Sequence, residues 1–182
     1  MTDKIKLGRL ILVLTVVTAI SALVLSFTYQ FTNPRIISNR QARQQENVMA
    51  VIPEAESFEE VEREGLLIFE GYDDQERLVG VAVSHEDTGF QGPIVVVTGI
   101  DVDTMSVSGV RVQEMAETPG LGARIDEEWF LQQFVNQGLD SDFDADDDYD
   151  IIAGATISSE VVAAIVQESL EMIAAIYGEG GL

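Results

Sequence analysis

The segment Asp150-Ile151-Ile152-Ala153-Gly154-Ala155-Thr156-Ile157-Ser158-Ser159 reads as a strand end, a tight turn of small residues with a hydroxyl at its tip, and a helix start. Gly154 and Ala155 let a bulky group approach the backbone closely. Free N–H groups and the helix dipole favour an anion at such a point, so a phosphate esterified to Thr156 would sit in a favourable field. The same residues could instead form an N-cap cluster, with Thr156, Ser158 or Ser159 satisfying the first turn. A second candidate is Glu117-Thr118-Pro119-Gly120-Leu121-Gly122. Two glycines flanking a leucine give a backbone that can lie flat against a planar ring, although a plain Pro-Gly turn has the same composition. A third, Gly89-Phe90-Gln91-Gly92-Pro93-Ile94, is a glycine-rich entry to a strand and carries little alone.

Other reactive groups are sparse. The chain has no cysteine, which removes disulfides, iron–sulfur ligation, thiolate catalysis and cysteine zinc sites. Redox chemistry here must therefore come from a bound organic cofactor. Asp140, Asp142, Asp144, Asp146 and Asp148 alternate as in a calcium loop, but a loop counted from Asp140 would need glycine at Ala145 and glutamate at Ile151. They read as a solvated acidic loop. His85 has no second histidine to complete a metal site or triad and reads as a surface residue. No metal ligands and no catalytic acid, base or nucleophile are assigned.

The three glycine-containing segments, in their order along the chain (89–94, 117–122, 150–156) and behind an apolar N-terminal stretch, resemble the FMN-binding subunits of ion-pumping respiratory complexes. The nearer likeness is to the G subunit of the Rnf complex, the more distant to the C subunit of the sodium-pumping NADH:quinone reductase. The resemblance covers nearly the whole chain. That family's flavinylation signature is an Asp, two variable residues, a Ser or Thr, then Gly-Ala-Thr; here it runs Asp150, Ile151, Ile152, Ala153, Gly154, Ala155, Thr156. The resemblance implies FMN joined through its phosphate to Thr156 by a dedicated flavin transferase that uses FAD as donor. It further implies cofactor contacts from Asp150, Ala153, Gly154, Ala155 and Ser158, from Glu117, Thr118, Pro119, Gly120, Leu121 and Gly122, and from Gly92 and Pro93. Ala153 departs from the signature, which has a hydroxyl there. The implied role is electron transfer within a membrane complex that couples ferredoxin and NAD chemistry to ion transport, with other integral membrane and redox subunits as partners. The chain is short for the quinone reductase's C subunit, which favours the Rnf-type protein. A tethered scaffold without redox chemistry, and a stand-alone flavin domain for extracellular reduction, are the alternatives from other classes.

The elements that position these segments follow from periodicity and punctuation. Leu66–Phe69, Leu78–Val83, Ile94–Gly99 and Ser106–Val112 read as strands, the last two as a meander. Asp126 reads as the N-cap of a helix from Glu127 to about Gln137, with Trp129, Phe130 and Phe134 as its buried face. A last helix is expected from about Ser159 to Tyr177, its apolar residues recurring at three and four and Gly178 ending it. The fold class expected is α+β: one transmembrane helix, then a single domain with an antiparallel sheet and flanking helices.

From Leu10 to Phe31 no charge interrupts 22 residues, enough for a helix to cross a bilayer core. Lys4, Lys6 and Arg9 precede it, which favours a cytoplasmic N-terminus and a flavin domain on the periplasmic or extracellular side of the cytoplasmic membrane. Asn33-Pro34 is expected to end the span. A polar helical stalk then runs to Pro53, and an acidic stretch from Glu54 to Glu64 follows. The organisation expected is 1–9 cytoplasmic, 10–32 transmembrane, 33–60 stalk and 61–182 FMN domain. The net charge is −22, and from Gln44 onward 31 acids face four bases, a net of −27. Such a domain repels phosphate backbones and anionic lipid, so nucleic-acid binding is excluded and lipid is met through the helix alone.

Overall fold

The computed structural model describes residues 2–145 and 148–178 and divides the chain into two units, 1–42 and 43–182. Helix α1 (Thr2–Val51) begins in the first unit and ends in the second. Its most apolar 18-residue window has a mean hydropathy of 2.7, and none of that window is covered by protein. The hydroxyls of Thr15, Thr18 and Thr28 donate back to the carbonyls of Ile11, Leu14 and Val24, so these threonines leave no donor unsatisfied in an apolar setting. It is one helix long and apolar enough to cross a membrane.

The helix does not stop at Asn33-Pro34 as expected; Pro34 lies inside it. Proline deprives one carbonyl, that of Gln30 four residues earlier, of its donor. Gln30 stands at the polar end of the apolar stretch, where water can replace the lost bond, and the helix continues into residues 35–51.

The second unit is built on a five-stranded antiparallel meander in sequence order. Its strands are β1 (Ser57–Arg63), β2 (Leu66–Tyr72), β3 (Leu78–Thr88), β4 (Pro93–Asp101) and β5 (Ser106–Met115). Four contain the strands read from the sequence and run beyond them, β3 by five residues to Thr88. β1 does not: it lies in the acidic stretch, where Glu59, Glu60 and Glu62 face solvent while Phe58 and Val61 are half-buried. An edge strand needs only one apolar side, and its charges block pairing with another chain.

Two cores flank the sheet. On one face Ile68, Val81, Val83, Ile94, Val96 and Ile100 meet helix α3 (Thr156–Tyr177) through Val162, Ile165, Val166, Leu170 and Ile173. On the other face Phe69, Ala82 and Val97 pack with Val48, Val51, Ile52 and Ala55, at and just beyond the end of α1. The pairing Ala82–Gly99–Gly109 lays a row of small residues across β3, β4 and β5. Val51 fills that row: a Cβ on Gly99 would strike its carbonyl, and one on Gly109 would stand 2.8 Å from its Cα. Ser108 Oγ donates to the same carbonyl at 2.6 Å.

The expected helix from Glu127 to Gln137 is instead a broken run: a 3-10 turn at Gly122–Asp126, the four-residue α2 (Glu128–Leu131), and a 3-10 turn at Gln132–Phe134. Glu127, not Asp126, occupies the N-cap position and makes no side-chain capping bond. Phe130 and Phe134 are buried as expected, ring edge to ring face at 5.3 Å. Trp129 is not part of the core: it is 45% exposed, stacked by the Arg124 guanidinium, with its indole N–H donating to Glu127. Within α2 it stands one residue, about 100° of helix, from the buried Phe130, which turns it off the buried face.

Candidate functional site

Two turns of the same kind face one another at the start of α3. In Thr118-Pro119-Gly120-Leu121 the Leu121 N–H donates to the Thr118 carbonyl, with Pro119 second and Gly120 third at φ +75°. In Ile152-Ala153-Gly154-Ala155 the Ala155 N–H donates to the Ile152 carbonyl, with Gly154 third at φ +82°. Proline second, or a positive φ third, is the signature of a type II turn, and it explains the glycine at each third position. The turns touch through Leu121: a Cβ on Gly154 would lie 3.0 Å from Leu121 Cδ1.

The second turn delivers the chain directly into α3, which begins at Thr156, three residues earlier than the sequence suggested. Ala155 precedes it and makes no side-chain capping bond. The N-cap alternative therefore fails for Thr156 and Ser158. Ser159 is committed to structure, accepting from the Ile152 N–H at 3.2 Å and donating to the Ala155 carbonyl at 3.0 Å. The first-turn N–H groups of α3 have no side-chain acceptor among the described residues, beside the exposed Thr156.

A cavity of about 320 Å³ opens between these turns and the Gly89–Ile94 loop. Gly154, Ala155, Thr156 and Ser158 line it from the α3 side, and Glu117, Thr118, Leu121 and Gly122 from the opposite loop. Phe90 and Ile157 complete it; they are 68% and 48% exposed and form an apolar rim with Leu121. Sequence reasoning placed neither in the site. Phe90 was legible as the aromatic of its glycine loop, whereas Ile157 looked like one more apolar residue of a helix.

The remaining candidate residues lie outside the lining. Asp150 is exposed, and its N–H donates to Gln133 Oε1 at 2.8 Å. Ala153 is exposed. Pro119 and Gly120 shape the turn behind Leu121. Gly92 brings its loop against Ala116, where a Cβ would come to 2.8 Å, and Pro93 opens β4. Of the alternating aspartates, Asp146 lies outside the described residues. The only charged side chain in the lining is Glu117, 7% exposed, whose Oε1 accepts the Gln91 N–H at 3.2 Å.

The arrangement can hold an anion at the helix start and a flat apolar group against Phe90, Leu121 and Ile157. A family model described as an FMN-binding domain matches residues 89–171, which contain every lining residue. The G subunit of the ion-translocating oxidoreductase complex of Methanosarcina acetivorans is 31% identical, over 96% of this chain and 98% of that protein. The G subunit of the Na(+)-translocating ferredoxin:NAD(+) oxidoreductase complex of Acetobacterium woodii is 26% identical, over 92% and 90%. Among solved structures, the C subunit of the Na(+)-translocating NADH-quinone reductase of Parabacteroides distasonis aligns with a TM-score of 0.59 at 17% identity, over 80% of this chain and 97% of that one. At that identity the likeness concerns the fold.

Proposed function

This chain belongs to the G-subunit family of ion-translocating oxidoreductase complexes, and we propose that it carries FMN esterified through phosphate to Thr156 and relays electrons between other subunits of such a complex. The observation that carries this reading is the exposed Thr156 beside the uncapped start of α3, on the rim of an apolar-edged cavity. A phosphodiester there meets first-turn N–H groups and the positive end of the helix dipole. Thr118, Leu121, Gly122 and Ser158 would hold the cofactor, with Phe90 and Ile157 covering it. Bound FMN supplies one- and two-electron chemistry; the chain supplies its orientation and surroundings. Asp150 and Ala153, exposed on the approach to the turn, would be open to a flavin transferase.

The overall reaction, by likeness to the Acetobacterium protein, is ferredoxin:NAD oxidoreduction coupled to ion transport. The membrane anchor is the apolar part of α1, with the N-terminus in the cytoplasm and the FMN domain across the membrane. The quinone reductase's C subunit is the less favoured reading, because its likeness rests on fold at 17% identity whereas the G-subunit likeness spans 96% of the chain.

Peptide mass spectrometry of protein produced with a flavin transferase tests the linkage. The peptide containing Thr156 should be heavier by about 438 Da, one FMN less water, and the protein should absorb near ~450 nm. Thr156→Ala should lose both while keeping its thermal transition. Covalent flavin on the Thr156→Ala protein would overturn the site, and a colourless, unmodified wild type would favour the scaffold.

A further inference from the structure

Resting on the reading of this cavity as the flavin site, we infer that Glu117 is a positioning residue whose carboxylate joins the 89–94 and 117–122 loops on the side of the cavity that faces α3. It stands where they meet. Oε1 accepts the Gln91 N–H and so fixes the Gly89–Ile94 loop. Oε2 lies against Gly122, where a Cβ would come to 2.6 Å, and that same point is 3.1 Å from Ser158 Oγ on α3. At Gly89 the space of a Cβ is taken by Oε1 and by the Ile94 side chain. Two glycines in different loops are thus explained by one acidic side chain. The glutamate in turn is explained by the loops it spans, because a buried carboxylate without donors is costly. A flavin ligand would matter only when flavin is present; a positioning residue orders the loops in either case.

Hydrogen exchange on the full chain in detergent, made with and without the flavin transferase, separates the two. Glu117→Ala should speed exchange of the 89–94 amides on the order of tenfold in both preparations, since the acceptor of the Gln91 N–H is gone. Glu117→Gln keeps a carbonyl oxygen at that position and should restore the protection. Gly122→Ala should loosen the same amides, although Gly122 does not touch them, because its new Cβ displaces the carboxylate. That effect should largely vanish in a Glu117→Ala background, the mark of coupled positions. Exchange in β1 and β2 reports whether the fold survives; if Glu117→Ala unfolds throughout, the Gln and Gly122 variants decide. Unchanged 89–94 exchange in Glu117→Ala overturns the inference. So does Gln behaving like Ala, or a Gly122→Ala effect that persists without the carboxylate. An absent flavin mass on Thr156 would defeat the proposed function and leave this result readable, since half of the measurements use unflavinylated protein.

Discussion

Gly154 is under two constraints at once, a φ of +82° and Leu121 Cδ1 standing 3.0 Å from where a Cβ would be. Gly154→Ala should cost about 1–3 kcal/mol of stability, read as a lowered thermal midpoint. Leu121→Ala in the same chain should recover the steric part and leave the backbone part. Ala153 faces solvent, so Ala153→Ser should shift stability by no more than about 0.5 kcal/mol and leave flavin incorporation intact. These residues were legible in the sequence because turn chemistry is local: a Pro-Gly pair and a Gly-Ala-Thr run constrain their own backbone. The roles of Glu117, Ile157 and Trp129 were not. For the first two the role depends on which distant segment arrives beside them, and Trp129 is held outward by contacts with Arg124 and Glu127 that apolar spacing does not encode.

β2 and α3 are joined at one buried carboxylate. Glu70 accepts from Tyr177 Oη at 2.5 Å, Tyr72 Oη at 2.6 Å and Arg63 Nε at 2.8 Å, and the Arg63 guanidinium lies over the Tyr177 ring. Burial alone would raise the Glu70 pKa, but the bonds from Tyr177, Tyr72 and Arg63 outweigh it and hold the carboxyl below its usual value. A depressed pKa means this group's stabilisation is present above the unfolded value and lost as pH falls through the folded one. Thermal midpoints measured from neutral pH down through the carboxylate range should therefore fall less steeply in Glu70→Gln than in the wild type. On the alkaline side the hydrogen bond to Glu70 pushes Tyr72 up to about 12, so that contribution fades only as pH climbs from the ordinary tyrosine range through that value. At the sheet's edge, replacing Glu59, Glu60 and Glu62 of β1 by threonine should leave the circular dichroism unchanged and produce self-association in light scattering. The four central strands were legible because their apolar runs are bounded by turn residues. β1 was not, because an edge strand can spend its outer positions on charge and so look like a loop.

At the scale of the molecule, the domain's second core uses residues that composition assigns to a stalk. A fragment starting at Arg43 should give a sharp thermal transition. One starting at Val61 would lack β1's first half together with Val48, Val51, Ile52 and Ala55, exposing Phe69, Ala82 and Val97; it should aggregate or melt without cooperativity. The excess of acid should also show as salt dependence, with the thermal midpoint rising as ionic strength goes from about 0.01 M to about 0.15 M and self-repulsion is screened. The anchor and the sign of the charge were plain in the sequence, since both are sums over composition; which face of the sheet the end of α1 covers was not. The Tyr177–Glu70 bond spans 107 positions and closes the sheet with the last described element of the chain. During synthesis the five strands emerge before anything exists to cover Ile68, Val81, Val83, Ile94, Val96 and Ile100. On the function proposed above, flavin attachment to a finished site would therefore come last in the protein's biogenesis. A premature stop within α3 would leave an uncovered sheet, a substrate for quality-control proteolysis instead of a partly folded domain.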